Sequence, residues 1–304
     1  VTGAARGSGL ATTQQFMTQG WQVIMVDRDA NAVEEAAAPL ENTLSVVADV
    51  SDPDQVAGLA ARHTRIDALI NNAGVADFGP IQDTDFARWR TVMETNLDGV
   101  FLMSQAFTPA LAATRGAIVN IASISGLRAS TLRVAYGTSK AGVIALTQQQ
   151  AVELGEMGSR ANAVCPGPVR TKLAMAVHTP EIIAAYHDAI PLTRYGSEDE
   201  IAAVITFLCS TGASYVAGQT IAVDGGFEAT GVGLPAQRNS SAPQARPPPP
   251  PPAAPPGLAP FAPPPRPKAS RRRAQRGHRR RDSPSGLLRR HHHVTCLPSN
   301  TSNG

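Results

Sequence analysis

The chain has 304 residues, 42% of them hydrophobic and 17% charged, values ordinary for a globular domain with a sizeable core. No apolar run approaches the roughly 20 residues of a membrane-spanning helix. Three widely spaced cysteines (Cys165, Cys209, Cys296) can build neither a disulfide framework nor a zinc cage, which excludes a structural metal site of that kind. The expectation is a reducing compartment, the cytoplasm. The sequence opens at Val1 without an initiator Met, so an upstream address is left open. Charge is unevenly spread. Of 27 Lys+Arg and 24 Asp+Glu, residues 231–304 hold 13 and one, which leaves 14 and 23 for residues 1–230. The basic character belongs to the tail, and the acidic remainder has no reason to seek nucleic acid.

Thr2–Gly9 reads TGAARGSG and leads into a helical run, Leu10–Gln19. Glycines suit a tight turn where backbone approaches a pyrophosphate, and the following helix N-terminus offers N–H groups and a positive dipole end. A doubly wound sheet needs a strand entering this turn, and only Val1 and Thr2 stand there. The expectation is a truncated central first strand, in an N-terminal fragment that a restored apolar strand would stabilise. Next comes a strand over Gln22–Val26, closed by Asp27 eighteen residues after Gly9. A carboxylate there can bond both adenosine ribose hydroxyls and repels a 2′-phosphate. Arg6 and Arg28 pull the other way, since a guanidinium beside that ribose welcomes the phosphate of NADP. The balance favours NAD, with NADP left open.

Further strands are predicted over Leu44–Ala48, Ala68–Ile70, Ala117–Ile121, Ala161–Val164 and Thr220–Val223, separated by helical stretches such as Val134–Gly155 and Glu198–Cys209. This alternation predicts a single α/β domain over residues 1–230. Its doubly wound parallel sheet, a Rossmann fold, is covered by helices on both faces.

Tyr136 and Lys140 fall four apart in YGTSK, so a helix projects both from one face, one turn apart. A lysine so placed can lower the phenol pKa and make Tyr136 a general acid/base near neutral pH. Ser123 lies thirteen residues earlier, at the C-terminal end of the strand Ala117–Ile121, where open α/β sheets hold their ligands. Its hydroxyl could hold a carbonyl or alcohol oxygen.

With these motifs in order, residues 1–230 resemble the classical short-chain dehydrogenases/reductases. TGAARGSG matches that family's TGxxxGxG turn (Gly3, Gly7 and Gly9, with Arg6 and Ser8 between them), although Ser8 replaces the usual apolar residue. Asp49-Val50 matches the acidic pair placed by the adenine ring, and Asn71-Asn72-Ala73-Gly74 matches the NNAG motif. Asn96 sits where the family's helical Asn sits, 27 residues before Ser123. The run Cys165-Pro166-Gly167-Pro168-Val169-Arg170-Thr171 resembles the segment contacting the nicotinamide amide, and Val223-Asp224-Gly225-Gly226 the final-strand signature. The resemblance implies hydride transfer between the nicotinamide and a small or medium alcohol or carbonyl substrate. Tyr136 would exchange the proton, Ser123 polarise the substrate oxygen, Lys140 bind the nicotinamide ribose, and Asn96 hold a water in the proton relay. It also implies a lid over Leu173–Ala189 with Met175, His178 and Tyr186 as contacts. A homodimer or homotetramer would join through the helices around Asp85–Ala113 and Tyr136–Gly155. Arg128 and Arg133 could greet an acidic substrate or simply face solvent.

Residues 231–304 carry 17 of the 25 prolines and an arginine-rich run, Arg271–Arg281. Such a segment is expected to be disordered. Three readings stand: a nucleic-acid or lipid-binding arm, a proline-motif ligand, or a frameshift product without selected function, the last being preferred. The three adjacent His291–His293 can bind metal weakly. Two other functions remain in view. An epimerase or dehydratase is disfavoured by the glycine spacing, and a nucleotide-bound scaffold with a basic nucleic-acid arm is disfavoured by the complete set of candidate catalytic residues.

Overall fold

All six predicted strands form, within two residues of their expected ends. The structure, a computed structural model, describes residues 1–231. The expectations placed on the tail beyond Gly231 lie outside the described residues. In chain order the elements are α1 (Gly7–Thr18), β1 (Val23–Asp27), α2 (Ala30–Ala37), β2 (Thr43–Val47), α3 (Pro53–Arg62), β3 (Ala68–Asn71) and α4 (Phe86–Met93). There follow a π-helical turn (Glu94–Asp98), α5 (Gly99–Ala112), β4 (Ala117–Ile121), α6 (Ile124–Leu127), α7 (Val134–Gly155) and β5 (Arg160–Pro166). The last are α8 (Lys172–Val177), α9 (Pro180–Ala189), α10 (Glu198–Cys209) and β6 (Thr220–Val223). Helix starts follow their chemistry. Asp52 caps α3 with Pro53 in the first turn, Asp85 caps α4, and Ser197 with Glu200 forms a reciprocal capping box on α10.

Every strand pairing is parallel, in two ladders: β1–β2, and β3–β4–β5–β6. Between them lies the stub of the first strand. Thr2 bridges Val26, Val26 N–H donates to the Val1 carbonyl at 2.9 Å, and Thr2 N–H donates to the Ile70 carbonyl at 3.0 Å. The sheet order is thus β2–β1–(Val1–Thr2)–β3–β4–β5–β6. Its reversal point falls at the glycine turn, where doubly wound sheets bind ligands.

All five residues of β4 are buried, as a strand covered on both faces requires. Ala117, Val119 and Ile121 pack with Phe16, Ile205 and Leu208 beneath α1 and α10, while Ile118 packs with Met103, Phe107 and Leu111 beneath α5. Each such Leu or Ile contributes roughly 1.5–3 kcal/mol of transfer free energy. No helix among the described residues is long and apolar enough to cross a membrane.

One polar thread runs through this core. Asn71 Nδ2 on β3 donates to Asn120 Oδ1 on β4 at 2.8 Å and to Ser104 Oγ at 3.1 Å. Asn120 Nδ2 donates to Thr147 Oγ1 at 2.8 Å and Gln150 Oε1 at 2.7 Å, both on α7. The thread ties the centre of the sheet to the helix that carries Tyr136 and Lys140. Asn120→Ala strands these buried partners, each orphan costing about 1–3 kcal/mol. Denaturant unfolding is expected to show a loss of about 3 kcal/mol, and thermal unfolding a drop on the order of 10 °C. Unchanged stability would mean that the thread holds nothing.

Candidate active site

The glycine turn is locked to the NNAG segment by contacts that leave no room for side chains. A Cβ on Gly9 would lie 2.2 Å from the Gly3 carbonyl oxygen and 2.6 Å from Asn72 Nδ2. Gly3 and Gly7 both have φ of +60°, the left-handed region that glycine adopts without penalty. Asn72 Nδ2 donates to the carbonyls of Thr2 (3.0 Å) and Gly3 (3.1 Å). The Thr2 hydroxyl oxygen accepts from the N–H groups of Asn72 and Ala73 at 2.9 and 3.0 Å. In the sequence Thr2 stands out only as part of the motif; a hydroxyl at a strand end is the one signal of this clasp. Arg6 and Ser8 flank Gly7 at the start of α1, where Arg6 is the exposed residue capping the helix without a side-chain bond.

Asp27 ends β1 beside this turn. Its Oδ2 accepts from Ala5 N–H at 3.2 Å and its Oδ1 from Asp29 N–H at 3.1 Å. The two arginines are both engaged by carboxylates. Arg6 pairs with Asp29, and Arg28 approaches Asp49 at 3.9 Å. Asp49 Oδ1 also accepts from Ser51 N–H and hydroxyl, and Val50 is buried against Gly99, where a Cβ would meet its methyl at 2.8 Å.

Ser123, Tyr136 and Lys140 converge from β4 and α7. Ser123 caps α6, its Oγ accepting from Ser125 N–H at 3.1 Å, and its hydroxyl lies close enough to the Tyr136 phenol to favour the phenol's ionised form. Lys140 is buried, and its Nζ donates to the Ile121 carbonyl at 2.7 Å and lies 5.8 Å from the Tyr136 ring centre. Asn96, fully buried, sits in the π-helical turn between α4 and α5. Its Oδ1 accepts from Val75 N–H at 2.8 Å, and its Nδ2 donates to the Val75 carbonyl at 2.9 Å and Ser139 Oγ at 3.1 Å. A Cβ on Gly74 would lie 3.3 Å from Asn96 Oδ1 and 3.6 Å from Lys140 Nζ, so the NNAG segment abuts both groups.

The segment Pro166–Thr171 leads from β5 to α8. Gly167 N–H donates to the Val223 carbonyl at 3.0 Å, and a Cβ there would fall 2.5 Å from Asp224 Cβ. Val169 is buried and pairs with Gly196, while the Thr171 hydroxyl caps α8. The segment expected to form a lid is two helices, α8 and α9. His178 stacks on Tyr186 with ring centres 5.5 Å apart, and its Nδ1 is 3.0 Å from the Tyr195 hydroxyl. Met175 is half-buried. Tyr195 and Phe227, both packed on Tyr186, escape a reading of the sequence because they lie beyond the motifs.

This arrangement has close counterparts. A family model described as Enoyl-(Acyl carrier protein) reductase matches residues 3–228. The galactitol 2-dehydrogenase (L-tagatose-forming) of Cereibacter sphaeroides is 39% identical over 236 residues, covering 75% of this chain and 93% of the relative. The meso-2,3-butanediol dehydrogenase of Serratia marcescens is 37% identical, covering 76% and 94%. Among solved structures, levodione reductase superposes with a TM-score of 0.72 at 33% identity, covering 76% of this chain and 96% of that one. The chain belongs to the short-chain dehydrogenase/reductase family. Like its relatives, this short-chain dehydrogenase/reductase is an NAD(P)-dependent oxidoreductase that passes hydride between cofactor and a small-molecule substrate.

Titration in this reductase departs from one expectation. Burial pushes the Tyr136 phenol up, and the groups that pull it down are the Ser123 hydroxyl and the Arg133 charge. Lys140 does not reverse that direction, because its ammonium bonds the Ile121 carbonyl and burial pushes it down to about 8. A cation with a depressed folded-state pKa costs stability while it must stay charged. That cost is complete below about 8 and disappears as the unfolded lysine also loses its proton near 10.5. Wild-type stability relative to Lys140→Met is therefore expected to rise by roughly 3 kcal/mol between these pH values. Urea unfolding of both proteins across that window checks it, and a flat difference would refute the buried ammonium.

Proposed function

We propose that the protein is an NAD(H)-dependent alcohol dehydrogenase or carbonyl reductase acting on a small or medium alcohol or its carbonyl counterpart. The convergence of the Ser123 hydroxyl, the Tyr136 phenol and the buried Lys140 ammonium at the C-terminal edge of the sheet carries this reading. Tyr136 is the general acid/base. Its phenol, protonated at neutral pH, donates the proton to a carbonyl oxygen in reduction and recovers it from the alcohol in oxidation. Ser123 donates a hydrogen bond to that same oxygen and fixes its position beside the phenol. Lys140 holds the nicotinamide ribose and keeps a positive charge near Tyr136. Asn96, with its side chain spent on Val75 and Ser139, shapes the turn whose backbone holds the water of the proton relay.

The residues present fit a dinucleotide. The Gly3–Gly9 turn, with Arg6, Gly7 and Ser8, gives a backbone surface on which any Cβ at Gly9 would collide, and it opens onto the N-terminus of α1. Asp27 would take the adenosine ribose, Asp49 and Val50 the adenine, Asn72–Gly74 the middle of the cofactor, and Pro166, Gly167, Val169 and Thr171 the nicotinamide amide. Bound NAD supplies the hydride acceptor, and NADH the donor. Asp27 at the end of β1, with Arg6 and Arg28 both turned to carboxylates, supports NAD over NADP.

The catalytic unit is residues 1–230, with 231–304 outside it, and the family match over 3–228 supports this division. It works as a homodimer or homotetramer in the cytoplasm. The exposed apolar Phe101 on α5, lining a groove of about 710 Å³ with Leu97, Leu102 and Leu146, and the exposed Val152 on α7 support pairing of these helices between copies. A nucleic-acid role would have to come from the basic tail.

Tyr136→Phe removes the transferable proton while keeping the ring. Turnover of a secondary alcohol is expected to fall at least 10³-fold with NADH binding within about threefold of wild type; retained turnover would overturn the assignment. Fluorescence titration is expected to show NADH bound at least tenfold tighter than NADPH, and Asp27→Ala to narrow that ratio. Tighter NADPH would reverse the cofactor choice.

A further inference from the structure

Two arginines lie between Ser123 and Tyr136, and the structure separates them. Arg128 is spent inside the protein. Its guanidinium donates to the carbonyls of Phe227 (2.6 Å) and Thr230 (3.3 Å) and lies 4.2 Å over the Phe227 ring. Arg133 has no such partner. Among the described residues its guanidinium makes no hydrogen bond and no ion pair. It rests over Phe78 at 4.5 Å and lies 5.7 Å from the Tyr136 ring centre.

The acid adjacent to Phe78 in sequence is already engaged elsewhere. Asp77, adjacent to Phe78, has its Oδ1 held by Arg88 Nε and Nη2 at 3.1 and 2.7 Å. Arg133 also borders a cavity of about 560 Å³ with Ser125, Ser130 and Thr138 among its lining residues and no Asp or Glu. Its charge is felt by the two groups on either side, opposing the burial-driven rise of the Tyr136 phenol and adding to the burial-driven fall of His178. In a domain with 23 acids against 14 bases, a half-buried arginine without a carboxylate, beside the proton-transferring hydroxyl, marks a place kept for an anion.

We infer that Arg133 is a specificity residue that binds the carboxylate of the substrate, so that the alcohol oxidised or carbonyl reduced at Tyr136 belongs to a hydroxy or oxo acid. The inference rests on the assignment of Tyr136 as the acid/base. A single guanidinium, with Arg128 already committed, matches a monoanion, and its planar fork matches a carboxylate. Phe78 beneath the guanidinium limits the side-chain freedom lost on binding.

The test uses the full chain with NADH and a pair of small probes that differ only in charge. Butyrate and its neutral isostere butyramide are titrated against the protein–NADH complex, read by NADH fluorescence. Wild type is expected to bind butyrate about 10- to 100-fold tighter than butyramide. Arg133→Met, which keeps the apolar stem over Phe78, is expected to bring the two within about threefold of each other, and Arg133→Lys to restore part of the preference. Kinetics on 3-hydroxybutyrate and 2-butanol should follow the same ratio, mainly through KM. Equal binding of butyrate and butyramide, or a preference untouched by Arg133→Met, overturns the inference. Propylphosphonate bound tighter than butyrate overturns the carboxylate. A folded chain that binds neither NADH nor NADPH brings down the oxidoreductase reading itself, an outcome separate from loss of charge preference.

Discussion

The clasp at Thr2 is the joint on which the rest of the structure depends. Two ladders, β1–β2 and β3–β6, share no strand-to-strand pairing, and the short stub Val1–Thr2 lies between them. The Thr2 hydroxyl collects the N–H groups of Asn72 and Ala73 while Asn72 returns two hydrogen bonds to the turn. Because Gly9 lies against the Gly3 carbonyl, α1 is pulled into the same knot. The geometry of the glycine turn, the direction of α1 and the position of the NNAG segment are therefore one constraint. Moving any of them moves the floor of the proposed cofactor cleft.

The proposed catalytic side is fixed from the same C-terminal end of β3 and β4. The amide thread from Asn71 through Asn120 to Gln150 registers α7 against the sheet, and α7 carries both Tyr136 and Lys140. From the other flank, the π-helical turn aims Asn96 at Val75, one residue beyond Gly74. The proposed cofactor cleft and proton-transfer groups are thus set by a shared segment, Asn71–Val75, which gives part of its polar groups to each side. This explains why five consecutive residues of such different size act as one unit.

What can be read from the sequence is whatever repeats with a period. The strands, with their dense β-branched runs, and α7 and α10, whose ends match the expected Val134–Gly155 and Glu198–Cys209, follow from periodicity. The i, i+4 spacing places Tyr136 and Lys140 on one face, and the structure brings Ser123 to them. Non-periodic features stay hidden. The single π turn at Glu94–Asp98 interrupts a stretch that reads as one helix, since one extra residue per turn leaves composition untouched. The buried amide thread is invisible because Asn120 and Gln150 look like ordinary polar residues until a sheet and a helix close over them. Arg128 and Arg133 cannot be told apart in the sequence, because their difference lies in carbonyls contributed from residues 227 and 230, about a hundred positions away.

The same separation governs the electrostatics. From spacing, an ammonium one turn from a phenol should ease its ionisation, and that argument considers the pair alone. In the folded chain both groups sit where water is scarce, and low polarity penalises each charged form separately. The phenol moves up and the ammonium down to about 8. These shifts share a cause, and they make the doubly charged pair the one ionised arrangement in which each desolvated charge has a partner. Lys140 is mostly charged at neutral pH, so the site already bears the cost of one buried cation, offset in part by the Ile121 carbonyl. A proton leaving Tyr136 then places a negative charge where a positive one already waits. In the proposed mechanism the lysine would act less by shifting the resting phenol than by stabilising the anion when a proton is passed to the substrate oxygen, and Arg133 at the outer side would add to the same field.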